Sequence, residues 1–150
     1  MIFDPEQFID LTLKAGAVYK FEDKQAIEDD EPHFFIVINN DPNNELILLL
    51  TCISSQINKA RQRIAKRNQH PYTLVEFKED EYDFLTKDSI VDCNEIFPKS
   101  KADLVKKCSE GTLKILAAEI DKKKLQELQN GFLISNMHSN SIKRIIDPKI

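Results

Sequence analysis

Glycine is scarce in this chain, and that scarcity narrows the chemistry at once. Three glycines in 150 residues cannot build a phosphate-cradling loop, and neither G-x-G-x-x-G nor G-K-[ST] occurs. The cysteines, Cys52, Cys93 and Cys108, are odd in number and form no C-x-x-C pair. This argues against a disulfide framework and a zinc site, leaving reduced, partly buried thiols as the plain reading. His33, His70 and His138 stand in separate segments without ligand spacing, so no metal and no cofactor is assigned. No apolar run approaches the roughly 18 residues that span a bilayer. The N-terminus "MIFDPEQFID" has acids where a signal peptide has cations. The expectation is a cytoplasmic protein with no membrane contact.

What is present suits one folded domain, residues 1–150, with 41% hydrophobic and 31% charged residues. The net charge is −4, yet its distribution is uneven. From Leu46 through Val75 there is no acid, while Lys59, Arg61, Arg63, Lys66 and Arg67 give +5, which leaves −9 on the rest. Between Glu22 and Glu31 six acids meet only Lys24. Over a Debye length of roughly 8 Å such patches act separately, so local sign outweighs net charge. The basic run reads either as a polyanion site or as a solvated helix face or loop.

"DPEQFIDLTLKAG" carries a capping Asp4 and Pro5 at the first helical position, which predicts a helix over Pro5–Leu13. "GAVYKF" reads as a strand. "HFFIVI" and "ELILLLTCI" are apolar runs joined by the turn formers "NNDPNN", and their continuous apolarity predicts strands buried on both faces, or central in a small barrel. "INKARQRIAKRNQH" reads as a loop or one or two helical turns. "PYTLVEF" and "DSIVDCNEIF" restore strand character around a turn at Thr86, Lys87 and Asp88, and "GTLKILA" reads as a short strand. Leu125, Leu128, Phe132 and Leu133 predict an amphipathic helix over about Asp121–Ile134 despite Gly131, and the tail after Asn136 lacks periodicity. Strands in succession followed by a helix predict a mainly β chain with helices (α+β), a small barrel or curled sheet.

The ordered motifs "AGAVYKF", "PHFFIVINND", "LILLLTCISSQINKARQ", "LTKDSIVDCNEIF" and "DKKKLQELQNGFLIS" together resemble the MazF/PemK-like toxins of toxin–antitoxin systems. The likeness covers a core of about residues 14–135, with 1–13 as a helical extension and 136–150 as a tail. It implies a small SH3-like β-barrel with N- and C-terminal helices, paired as a homodimer through sheet edges. The implied activity is cleavage of single-stranded RNA without a metal, restrained by an antitoxin protein or peptide. An alternative on the same barrel is an inactive module that binds RNA or a protein.

The family's mechanism is attack of a ribose 2′-OH on the adjacent phosphate, which needs a base, an acid and donors to the pentacoordinate anion. The family's Arg before the second strand falls on His33, and its strand-ending Thr on Ser54, which keeps the hydroxyl. His33 lacks the fixed charge and fork of Arg, although imidazole as a type titrates near neutrality, as acid–base work requires. The likeness therefore implies catalytic His33 and Ser54, and substrate binding by Ser55, Gln56, Lys59, Arg61 and Arg63. Purely structural readings stand beside these: a strand-top His33 and strand-end caps at Ser54 and Ser55. Asn39 and Asn40 are assigned to shaping the hairpin. The acidic segment Glu22–Glu31 reads as a self-screening lid over the RNA groove or as an exposed solubilising loop.

Overall fold

The computed structural model describes residues 3–23 and 31–150. Lys24, Glu28, Asp29 and Asp30 lie outside them, and so does most of the acidic segment read as a lid. The N-terminal helix α1 (Pro5–Thr12) forms where expected, because Asp4 Oδ1 accepts the Glu6 and Gln7 amides at 3.0 and 3.3 Å. Gly16 then takes φ +88°, a left-handed turn that admits strand β1 (Ala17–Phe21). Strands β2 (His33–Val37) and β3 (Leu48–Ser54) follow, joined through one 3₁₀ turn at Pro42–Asn44. The hairpin is pinned by Asn39, whose Nδ2 donates to the Ile47 carbonyl (2.9 Å) while its Oδ1 accepts the Leu49 amide (2.7 Å).

Strands β4 (Leu74–Phe77), β5 (Ser89–Asp92), β6 (Phe97–Lys99) and β7 (Ala118–Glu119) complete a seven-stranded sheet in which every pairing is antiparallel. The order is β4-β5-β3-β2-β1-β7, and β6 pairs with the start of β3 on the edge whose end holds β5. The sheet curls as a half-barrel, so the α+β class and the antiparallel strands are as expected.

The central strands are largely apolar because both of their faces are covered. On one face Val18, Ile36, Ile53 and Val91 pack with Leu128 and Phe132 of helix α4 (Lys122–Ile134) and with Ile146 of helix α5 (Asn140–Ile146). On the other, Tyr19, Phe21, Phe35 and Leu50 pack with Ile9 of α1 and with Leu104 and Cys108 of a helix over Lys101–Ser109. Full burial of each such side chain contributes about 1.5–3 kcal/mol.

Four elements differ from the sequence reading. The basic run is a ten-residue helix, α2 (Ile57–Lys66), longer than two turns. Helix α3 (Lys101–Ser109) arises from a capping box in which Ser100 and Asp103 satisfy each other's amides, and it stops at Gly111 with φ +79°. Residues 111–117 form no strand; the Lys114 amide donates to the Lys20 carbonyl, but pairing with β1 resumes only at Ala118. The tail holds α5, capped by Ser139, whose Oγ accepts the Ile142 amide. Helix α4 falls where expected. Its Gly131 sits against β5's outgoing turn, where an added Cβ would lie 2.7 Å from Cys93 Sγ and 3.0 Å from the Tyr72 carbonyl oxygen.

Candidate functional site

Phe34 pairs with Ile53, so the antiparallel register sets His33, which opens β2, beside Ser54, which closes β3. The same rung continues from Ser54 to Ile90 and Glu76 on one side, and from His33 to Phe21 on the other. Side chains along one rung share a face, and alternation adds Cys52 and Asp92 to it. Helix α2 lies over this end of the face and closes a cleft of about 280 Å³. His33, Cys52, Ser54, Gln56, Lys59 and Arg63 line it, with Asp92 and Glu95 opposite. A second cleft of about 280 Å³ opens on the other side of the same wall. His33 and Ser54 line both clefts, and Ser55 and Gln56 border the second.

Five of the seven proposed residues, His33, Ser54, Gln56, Lys59 and Arg63, therefore meet at one cleft. Ser55 is exposed at the rim of the second cleft. Arg61 lies outside both and reaches Glu76 of β4 at 2.6 Å. Ser54 Oγ accepts the Gln56 amide at 3.0 Å, so it caps the strand end while its own O–H stays available to donate.

The arginines of the basic run serve the fold. Arg63 Nε donates to Asp92 Oδ2 at 2.9 Å and lies 3.2 Å from Glu95 Oε1, and Arg67 approaches the same Glu95 carboxylate at 3.7 Å. Asp92 is buried, and its Oδ1 accepts both the backbone amide and the Nδ2 of Asn94, at 2.9 and 3.0 Å. Asn94 Nδ2 also donates to Thr73 Oγ1, and Asn94 Oδ1 accepts the Ser135 hydroxyl at 2.6 Å. Among the described residues, no ion pair holds Lys59 or Lys66. In the first cleft Lys59 and Arg63 balance Asp92 and Glu95, so its net charge is near zero rather than strongly positive.

The remaining histidines stand apart. His70 caps the turn before β4, its Nδ1 accepting the Tyr72 amide at 3.0 Å. His138 lies against Phe132 with ring centroids 5.2 Å apart, and its Nε2 is 2.6 Å from the Cys93 carbonyl oxygen. Burial holds the His138 pKa below the ordinary imidazole value. Burial likewise pushes the Cys93 thiol up, so it stays protonated. Among the described residues no three His, Cys, Asp or Glu side chains converge as a metal site, and no helix is long and apolar enough to cross a membrane.

At the start of the acidic segment Asp23 Oδ2 pairs with Lys99 Nζ at 2.6 Å, nearly enclosed, and Lys107 Nζ donates to the Glu22 carbonyl at 3.3 Å. Sequence reasoning did not reach the acids that neutralise α2. Their pairing depends on the rung that carries Glu76 and on the face alternation that carries Asp92, which only the sheet register sets. Compared with protein-family models and with curated proteins, the chain matches none.

Proposed function

We propose that the protein is a MazF/PemK-like endoribonuclease on an SH3-like barrel, cleaving single-stranded RNA through its own 2′-hydroxyl. The observation that carries this reading is the placing of His33 and Ser54 side by side on a wall shared by two clefts. RNA crossing that wall presents one phosphate to both side chains. His33 takes the proton of the attacking 2′-hydroxyl and passes it to the leaving 5′-oxygen, and the Ser54 O–H donates to a non-bridging phosphate oxygen. The 2′-oxygen bonds to phosphorus as the P–O5′ bond breaks, leaving a 2′,3′-cyclic phosphate and a 5′-hydroxyl. The same likeness supplies the setting: a cytoplasmic homodimer, silenced when an antitoxin peptide fills the cleft.

A second reading, an RNA- or protein-binding module without catalysis, draws on one observation. Arg61, Arg63 and Arg67 are spent on Glu76, Asp92 and Glu95. Among the described residues, none of these three arginines keeps its fork for the scissile phosphate.

Purified protein with a mixed-sequence single-stranded RNA separates the two. The nuclease cuts equally with and without EDTA and leaves the end groups named above. A 2′-deoxy group at the scissile position blocks the cut. His33→Ala lowers the rate by ~10²–10⁴ with affinity unchanged. RNA that binds with a steep salt dependence but is never cut selects the module instead.

A further inference from the structure

The geometry points to a nucleotide-binding subsite in the second cleft, opposite α2, that takes one base and one phosphate of single-stranded RNA. This deepens the function proposed above and rests on it for the identity of the ligand. Lys20, Phe34 and Lys87 border this cleft beside His33 and Ser54. Lys20 Nζ sits 4.9 Å from the centre of the half-buried Phe34 ring, and that ring begins a chain of aromatic contacts. Phe34 meets Phe84 at 5.0 Å between centroids, and Phe84 meets Tyr82 at 5.4 Å. All three rings are only partly buried, because they close the rim of one core rather than its centre.

The charge differs from that of the first cleft. No ion pair holds Lys20 or Lys87 among the described residues, and Lys87 is exposed in the turn before β5. Among the described residues Glu31 is the one acid that lines the cleft, while the nearby Asp88 accepts the Glu79 amide at 2.9 Å. A cation on an aromatic edge, bordered by hydroxyls, suits a single-stranded nucleotide: the base stacks on a ring and the phosphate meets a lysine. Binding charge therefore lies at Lys20 and Lys87, across the wall from the basic run that sequence alone singles out. The scissile phosphate then sits over His33 and Ser54, with one neighbouring nucleotide held in this subsite.

The test measures binding of a fluorescein-labelled single-stranded RNA octamer by anisotropy across a salt series, with cleavage followed on a gel. Phe34→Leu keeps apolar packing and removes the ring; it weakens binding about 10-fold, within the usual worth of one stacked base. Lys87→Gln, on an exposed turn, lowers the salt slope by about 0.7, as loss of one phosphate contact to a single strand requires. Melting curves confirm that both variants fold. Variants that bind as tightly and as salt-sensitively as wild type overturn the subsite, and leave cleavage at His33 and Ser54 untouched. Wild type that binds but never cuts ends the nuclease reading, while weakened binding in the variants still supports the subsite. Wild type that binds no RNA overturns both.

Discussion

The Arg63 guanidinium meets the buried Asp92 carboxylate at 2.9 Å, and this contact fastens α2 to the sheet. Arg61 makes a similar contact with Glu76 at 2.6 Å, but both of its partners are well exposed. The two arginines thus differ in energetic weight although they stand two residues apart. Removing Arg63 leaves a carboxylate that water reaches poorly. Removing Arg61 leaves one that water solvates at once.

Arg63→Ala is expected to destabilise the protein by about 1–3 kcal/mol, the cost of a buried charged acceptor losing its partner. Arg61→Ala is expected to cost less than about 1 kcal/mol. Urea unfolding of both variants checks the contrast. Equal losses would mean that Asp92 is held by Asn94 alone.

Gly131→Ala is expected to destabilise by about 1–3 kcal/mol, although alanine is the better helix former by about 1 kcal/mol. The new methyl meets Cys93 Sγ at 2.7 Å and the rigid Tyr72 carbonyl at 3.0 Å. Cys93→Ala in the same chain should recover part of the loss, because the 2.7 Å sulfur contact goes while the Tyr72 carbonyl at 3.0 Å and the residue-93 Cβ at 3.1 Å remain. Thermal melts of the single and double variants measure the coupling.

Thr51 is buried in β3, and its Oγ1 finds no hydrogen-bond partner among the described residues. Valine has nearly the same shape without the orphaned hydroxyl. Thr51→Val is therefore expected to stabilise the fold by about 1 kcal/mol, read as a higher urea midpoint at unchanged slope.

His138 has a folded-state pKa held below its unfolded value, first by burial. Lys143 adds to the lowering, while the Cys93 carbonyl and Asp92 oppose it. Protonation therefore favours the unfolded chain. The stability from neutral His138 is present above the ordinary imidazole pKa of about 6.5, and is lost as pH falls through the lower folded value. His138→Gln retains a donor for the Cys93 carbonyl and does not titrate, so its unfolding free energy should fall less than that of wild type between neutral and mildly acidic pH. Parallel slopes in the two proteins would remove His138 as the cause.

Much of the fold was legible because short signals acted locally. Asp4 with Pro5 marked α1, and Leu125, Leu128 and Phe132 marked α4. The apolar runs of β2 and β3 announced strands covered on both sides. Helix α3 carried a legible signal too, in Ser100, Asp103 and Gly111, although aspartate stands where a capping box more often has Glu or Gln. The site was half legible. His33 and Ser54 were singled out only through the family likeness, and the fate of the arginines could not be read at all, because Glu76 and Asp92 are 15 and 29 residues away in sequence. Lys20 and Lys87 gave no signal as isolated lysines; the fold brings them to one cleft.

The turn from Asp92 to Glu95 ties helix α2 to several segments of the chain's second half. Its groups bond Arg63 of α2 and Arg67 at its C-terminal cap, Thr73 before β4, Ser135 at the end of α4 and His138 of the tail. The Cys93 amide donates to the Thr73 carbonyl at 2.7 Å, and the Cys93 thiol reaches the Leu128 carbonyl. Segments spliced together this way open as one cooperative unit instead of fraying singly. Amide exchange at Cys93 and Asn94 should therefore proceed only through global unfolding. The two ends of the second half of the chain then melt together, and the wall that carries Ser54 inherits the stability of the C-terminal helices.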